Sequence, residues 1–160
     1  MKNLTFTLFI LLIFALGCNL GNITKRNFTN FDPYKGNLSE LLQSEMSRAG
    51  IKFKSEGTRD TTADFRDVKE AKAFTYLQEA VGVSIQVDGA LINFNSSAAA
   101  HEQLRKSAEG VKGTIKTEGK NLSFTAENGK IVGWTNGSLV CLVKSDFAKP
   151  LENFKETVPF

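Results

Sequence analysis

Three turn-forming dipeptides constrain this chain more than any other feature: Asp88-Gly89, Asn128-Gly129 and Asn136-Gly137. Two-residue hairpin turns need positive φ at their central positions, which Asn, Asp and Gly tolerate and most residues resist. Each dipeptide stands between short runs of alternating apolar and polar residues, so each predicts two antiparallel strands. Folding about Asp88-Gly89 pairs Val87 with Ala90, Ile85 with Ile92 and Val83 with Phe94, and puts all six on one face. The two Asn-Gly pairs punctuate a meander of strands near 121–126, 130–135 and 138–144, with 114–117 as a further strand before them.

Register arithmetic in the meander assigns its faces. About Asn128-Gly129, Ala126 faces Ile131 and Phe124 faces Gly133, so that Gly133 leaves room for the Phe124 ring. Leu122, Phe124, Ala126, Ile131, Val140 and Leu142 share one side. The reverse side carries Ser123, Thr125, Val132, Trp134, Leu139, Cys141 and Val143, and is also apolar in its last two strands. Either another element covers that second face, or Val132, Trp134 and Leu139 form an exposed binding surface.

Helices are signalled by caps and by apolar residues at helical spacing. Asn37 with Glu40 three residues on resembles a capping box, followed by a stripe of Leu38, Leu41, Leu42, Met46 and Ala49, with Gly50 placed to end the helix. A second helix starts at Ser96 or Ser97, buries Ala100, Leu104, Ala108 and Val111, and ends at Gly110. A third lies within 147–157, with Phe147, Leu151 and Phe154 on one side. Ile51-Lys52-Phe53-Lys54 alternates as a strand does. Residues 57–70 are polar and charged and read as a long irregular excursion. Over 68–81, Val68, Ala71, Phe74, Leu77 and Val81 make a helical stripe, while Ala73-Phe74-Thr75-Tyr76 suits a strand, and both readings stand. Asp88-Gly89-Ala90-Leu91-Ile92 is similar to Asn136-Gly137-Ser138-Leu139-Val140, a likeness that shared hairpin chemistry accounts for. The expected class is α+β: an antiparallel sheet of hairpins and meander with about three helices packed on it, one domain over 37–160.

The first residues speak to location. Lys2 precedes an unbroken apolar run, LFILLIFAL over 8–16, and then Gly17-Cys18 and a polar stretch. A charged start, a short apolar core and a small residue before the cut describe an export signal over 1–17. The run falls short of the about 20 residues that span a bilayer. Phe14-Ala15-Leu16-Gly17-Cys18 resembles the lipobox of bacterial lipoproteins, with Ala15 and Leu16 in exchanged order. That resemblance implies acylation of Cys18, with palmitate among the chains, an exported protein anchored at a membrane of the bacterial envelope, and Cys18 as first mature residue. More than one acyl chain holds a protein on a bilayer stably. Residues 18–36 then read as anchor and tether, rich in Asn, Gly and Thr, about 55–60 Å long if fully extended. The strand, the Ser-capped Ala-rich helix, the late hairpin around Gly133-Trp134-Thr135-Asn136-Gly137 and the end Val158-Pro159-Phe160 are together similar to small bacterial lipoproteins, a group that implies no particular activity.

Composition limits the chemistry. The 160 residues are 41% hydrophobic and 23% charged with a net charge of +3, which suits one globular domain. The Lys and Arg residues are spread along the chain, so nucleic acid is not an expected partner. One histidine, His101, excludes a histidine-rich metal site, and Cys141, mid-strand between Val140 and Leu142, reads as a packed thiol. Asp60, Asp64 and Asp67 offer hard oxygen ligands at a spacing that matches no calcium loop. Asn22, Asn27, Asn37 and Asn121 open Asn-x-Ser/Thr triplets, acceptors in a eukaryotic secreted protein. No phosphate cradle, nucleophile elbow or Ser-His-Asp order occurs, and no metal or cofactor is expected. The expected role is a membrane-tethered, non-enzymatic binding or structural module of the envelope. Its alternatives are a soluble exported protein binding a small apolar ligand, and a hydrolase with an unrecognised site. Its partners are the membrane, through the lipid, and an unidentified protein or small apolar ligand.

Overall fold

The computed structural model describes residues 33–48, 53–80 and 83–157. The signal segment, Cys18, most of the tether, Asn22, Asn27, Ala49, Gly50, Ile51, Lys52, Val81 and Val158-Pro159-Phe160 lie outside the described residues. The elements run α1 (Leu38–Arg48), β1 (Phe53–Asp60), a 3-10 turn (Thr62–Asp64), β2 (Val68–Ala80), β3 (Val83–Phe94), α2 (Ser97–Gly110), β4 (Thr114–Glu118), β5 (Asn121–Thr125), β6 (Ile131–Asn136), β7 (Leu139–Lys144) and α3 (Ala148–Thr157). The class is α+β, as the turn chemistry requires.

All seven strands form one sheet in the order β1-β2-β3-β7-β6-β5-β4, with every neighbouring pair antiparallel. Two meanders, β1-β2-β3 and β4-β5-β6-β7, meet where β3 pairs β7. Four antiparallel steps leave β3 and β4 pointing the same way, so the chain between them must cross a face of the sheet. Helix α2 is that crossing. Its start is fixed by the Ser96 hydroxyl, which accepts the Ala99 N–H at 3.1 Å. In α1 the Asn37 carboxamide oxygen accepts the N–H groups of Ser39 and Glu40, at 2.8 and 3.1 Å.

Each face has its own core. Helices α1 and α3 cover one with Leu38, Leu42, Met46, Leu151 and Phe154, packed on Phe74, Tyr76, Val87, Leu91, Trp134 and Cys141. Helix α2 covers part of the other with Ala100, Leu104 and Ala108, packed on Ala71, Ile92, Phe94, Leu122, Phe124 and Val140. Fully burying one such side chain stabilises the fold by roughly 1.5–3 kcal/mol.

The first expected hairpin is not there. Asp88 and Gly89 lie inside β3, where they pair Thr75 and Phe74 of β2. Val87 therefore enters the α1/α3 core while Ala90, Ile92 and Phe94 face the α2 side, and the six residues assigned to one face divide between two. Gly89 has a packing role instead of a turn role: the ring of Phe74 fills the space that a Cβ there would need. The likeness between the segments at 88–92 and 136–140 has no structural counterpart, since one is strand interior and the other a strand end.

Residues 68–80 are strand, and the helical stripe was a coincidence of a sheet buried on both faces: Ala71 faces α2 while Phe74 faces α3. The excursion expected over 57–70 shrinks to 61–67, because Thr58, Arg59 and Asp60 pair Phe74, Ala73 and Lys72 at a sheet edge, where backbone bonds suffice and polar side chains are no obstacle. The β5–β6 hairpin follows expectation, with Ser123 opposite Trp134, Phe124 opposite Gly133 and positive φ at Gly129, whereas the β6–β7 turn falls one residue later than expected, at Gly137-Ser138, and pairs Trp134 with Cys141. The tether also ends earlier than residue 36. The Tyr34 N–H donates to the Ser138 hydroxyl at 2.8 Å, and its carbonyl accepts from the Asn93 carboxamide at 2.6 Å.

Candidate functional site

Strand pairing lays residues of five strands in rows across the α2 face. The row Ala71, Ile92, Val140, Thr135 lies under α2 and is closed off from solvent. Two residues further along each strand comes the row Arg59, Ala73, Ala90, Leu142, Gly133, and then Thr75, Asp88, Lys144, Ile131. Helix α2 packs on β3 through β7 and does not extend over these last two rows, whose apolar members are only half-buried.

The result is an open groove of about 790 Å³. That is within the roughly 300–1,000 Å³ of small-ligand sites. Its floor is Ala73 and Ala90, whose short side chains leave depth between the flanking strands. Leu142 and Ile131 make the apolar wall toward β6, and Arg59 the opposite wall on β1. Asp88 and Lys144 sit on the rim, directly opposite one another across β3 and β7. The Asp88 carboxylate accepts from the Thr75 hydroxyl at 2.8 Å and the Gln86 carboxamide at 3.0 Å. Among the described residues Arg59 and Lys144 make no ion pair, whereas Lys72, Lys106 and Lys155 are each engaged by a carboxylate. Such a site can hold an elongated, mostly apolar molecule and offers it a cation at the β1 end, Arg59, with Lys144 on the rim nearer β6.

The surface expected at Val132, Trp134 and Leu139 is not exposed. These residues keep 3%, 4% and 1% of their accessible area, because α1 and α3 lie over them. Trp134 meets Phe154 of α3 with ring centroids 6.1 Å apart. Cys141 is a buried free thiol in the same core. His101 rides on α2 at the opposite face, so the sheet separates it from Cys141. Its Nε2 is buried without a hydrogen-bond partner among the described residues. Desolvation, and then Arg105, lower its pKa against an opposing backbone contact at Lys120.

Of the loop aspartates, Asp60 acts through its carboxylate and Asp67 through its backbone. Asp60 pairs Lys72 at 2.8 Å and accepts the Thr62 N–H at 2.9 Å, and these bonds hold its carboxyl well below the usual range. Asp67 takes a left-handed conformation, and its carbonyl accepts from the Asn95 carboxamide at 3.0 Å. Among the described residues no three His, Cys, Asp or Glu side chains converge as metal ligands.

No protein family, curated protein or solved structure matches the chain. Among the described residues no helix is long and apolar enough to cross a membrane. The groove had one legible trace in the sequence, the small residues Ala73 and Ala90. They take on that meaning only once 68–80 is known to be strand.

Proposed function

We propose that this chain is an exported, lipid-anchored, non-enzymatic binding module, tethered to a bacterial membrane through Cys18, that takes a small, largely apolar ligand in the groove beside α2. The export reading rests on Lys2, the apolar run over 8–16 and Gly17-Cys18. The binding reading rests on one observation: the α2 crossing stops short, leaving Ala73, Ala90, Ile131 and Leu142 half-buried beside the fully buried Ala71, Ile92 and Val140 beneath the helix. Proteins seldom leave an apolar trough uncovered without a use for it. A hydrolytic reading finds less support, since Cys141 and His101 lie on opposite faces of the sheet.

Two measurements test the two halves. Radiolabelled palmitate is expected in the wild-type protein and not in Cys18→Ala; an unlabelled wild type overturns the anchor. N-phenyl-1-naphthylamine, an uncharged apolar fluorophore, is expected to brighten with the wild type and not with Ala90→Phe or Ala73→Phe, which fill the floor. Equal brightening with all three overturns the groove.

A further inference from the structure

Charge on the groove's lining goes beyond apolar shape and selects among ligands. The ionisable groups that line it are Arg59, Asp88 and Lys144, which together carry a net +1. Asp88 and Lys144 are cross-strand neighbours of opposite sign, so each offsets the other's field. Arg59 has no carboxylate partner among the described residues and lies at the β1 end of the row that continues through Ala73, Ala90 and Leu142. The uncompensated charge is therefore a guanidinium at one end of an apolar trough. Four strand-to-strand steps separate Arg59 from Gly133, about 19 Å at the usual spacing.

We infer that the groove binds a long-chain monocarboxylate, with its head group on Arg59 and its hydrocarbon chain lying across Ala73 and Ala90 toward Leu142. This rests on the reading of the groove as a binding site. The guanidinium fork matches a carboxylate with two parallel hydrogen bonds. A single negative charge neutralises the lining, whereas a doubly charged phosphate head would leave it with a net −1. Crossing strands rather than following one lets the chain lie over the two alanines, the shallowest side chains on the face. Each methylene buried contributes about 0.8 kcal/mol, so affinity rises about fourfold per added carbon until the trough is full.

The test uses the full chain carrying Cys18→Ala, purified without detergent, with bound N-phenyl-1-naphthylamine displaced by tetradecanoate or by tetradecanol. The acid is expected to displace the fluorophore at a concentration at least tenfold below the alcohol. Arg59→Gln is expected to erase that preference, read as the ratio of acid to alcohol displacement within each protein, and Lys144→Gln to change it less than twofold. Equal displacement by acid and alcohol, a preference that survives Arg59→Gln, or tighter binding of dodecyl phosphate than of dodecanoate overturns the carboxylate assignment. In each of those cases, fluorophore binding that is still lost in Ala90→Phe leaves the groove itself standing. A fluorophore that binds only after residues 158–160 are removed assigns the groove to the chain's own end and overturns both readings.

Discussion

The ring of Phe124 on β5 occupies the space that a side chain on Gly133 of β6 would need, the two residues facing each other directly across the strands. Phe74 and Gly89 repeat the arrangement on the opposite face, between β2 and β3. In both, a glycine that would weaken a strand is covered by the aromatic ring of its cross-strand partner, which seals the sheet without a bulge.

Adding a methyl group at Gly133 must displace that ring or the Leu142 side chain beside it. Gly133→Ala is expected to lose about 1–3 kcal/mol by overpacking. Phe124→Ala is expected to lose about 3–5 kcal/mol through the cavity it leaves. The double variant should lose less than the sum, because the methyl then enters vacated space. Urea denaturation of the four proteins measures the coupling.

Tyr34, Ser138 and Asn93 close a ring of three hydrogen bonds. Tyr34 N–H donates to Ser138, the Ser138 hydroxyl donates to the Asn93 carboxamide oxygen at 2.9 Å, and the Asn93 nitrogen donates to the Tyr34 carbonyl. Ser138 and Asn93 are fully buried, so removing one partner strands the others. Ser138→Ala is expected to cost about 1–3 kcal/mol and to speed hydrogen exchange at the Tyr34 amide. Unchanged exchange there would show that this ring does not hold the start of the domain.

With Trp134 enclosed by α3, its fluorescence should be blue-shifted and protected from acrylamide. Phe154 stacks on Tyr76 at 4.8 Å and touches Trp134 and Phe74 as well. Phe154→Ala is expected to cost about 3–5 kcal/mol and to red-shift the emission. A red-shifted wild type would return Trp134 to the surface.

His101 predicts a pH dependence with a definite sign. Its folded pKa is lowered, first by desolvation and then by Arg105, so the unfolded chain binds the proton more readily. The stability that comes from keeping the ring neutral is present above about pH 6.5 and is lost as pH falls below it. Asp60 acts in a separate and more acidic window, because its carboxyl is also held low and loses its Lys72 bond only on protonation. Thermal melts of His101→Gln should be flatter than wild type between pH 7 and 5. Parallel curves would remove His101 as the source.

Much of this fold was legible because a few residues have only one good use. Asn128-Gly129 set the β5–β6 register down to Phe124 opposite Gly133, and Asn37 and Ser96 marked two helix starts. Asn136-Gly137 set the faces of β6 and β7, but the turn sits one residue later, at Gly137-Ser138, and places Cys141 rather than Leu139 opposite Trp134. The shift lets the Ser138 hydroxyl reach Asn93 and Tyr34, a long-range contact invisible to local arithmetic. Asp88-Gly89 misled because glycine serves two ends, a left-handed turn or room for a ring, and only the partner Phe74 tells them apart. The groove was illegible for another reason: it exists because α2 is shorter than the face it crosses, a relation between elements that no single segment carries.

Ligand-induced methyl shifts in a nuclear magnetic resonance titration with tetradecanoate test the binding site most directly. The account predicts shifts confined to the methyls of Ala73, Ala90, Ile131 and Leu142, with Val132, Leu139 and Leu151 on the far face unmoved. Shifts at those far-face methyls, or none at any of the seven at saturating acid, would contradict it.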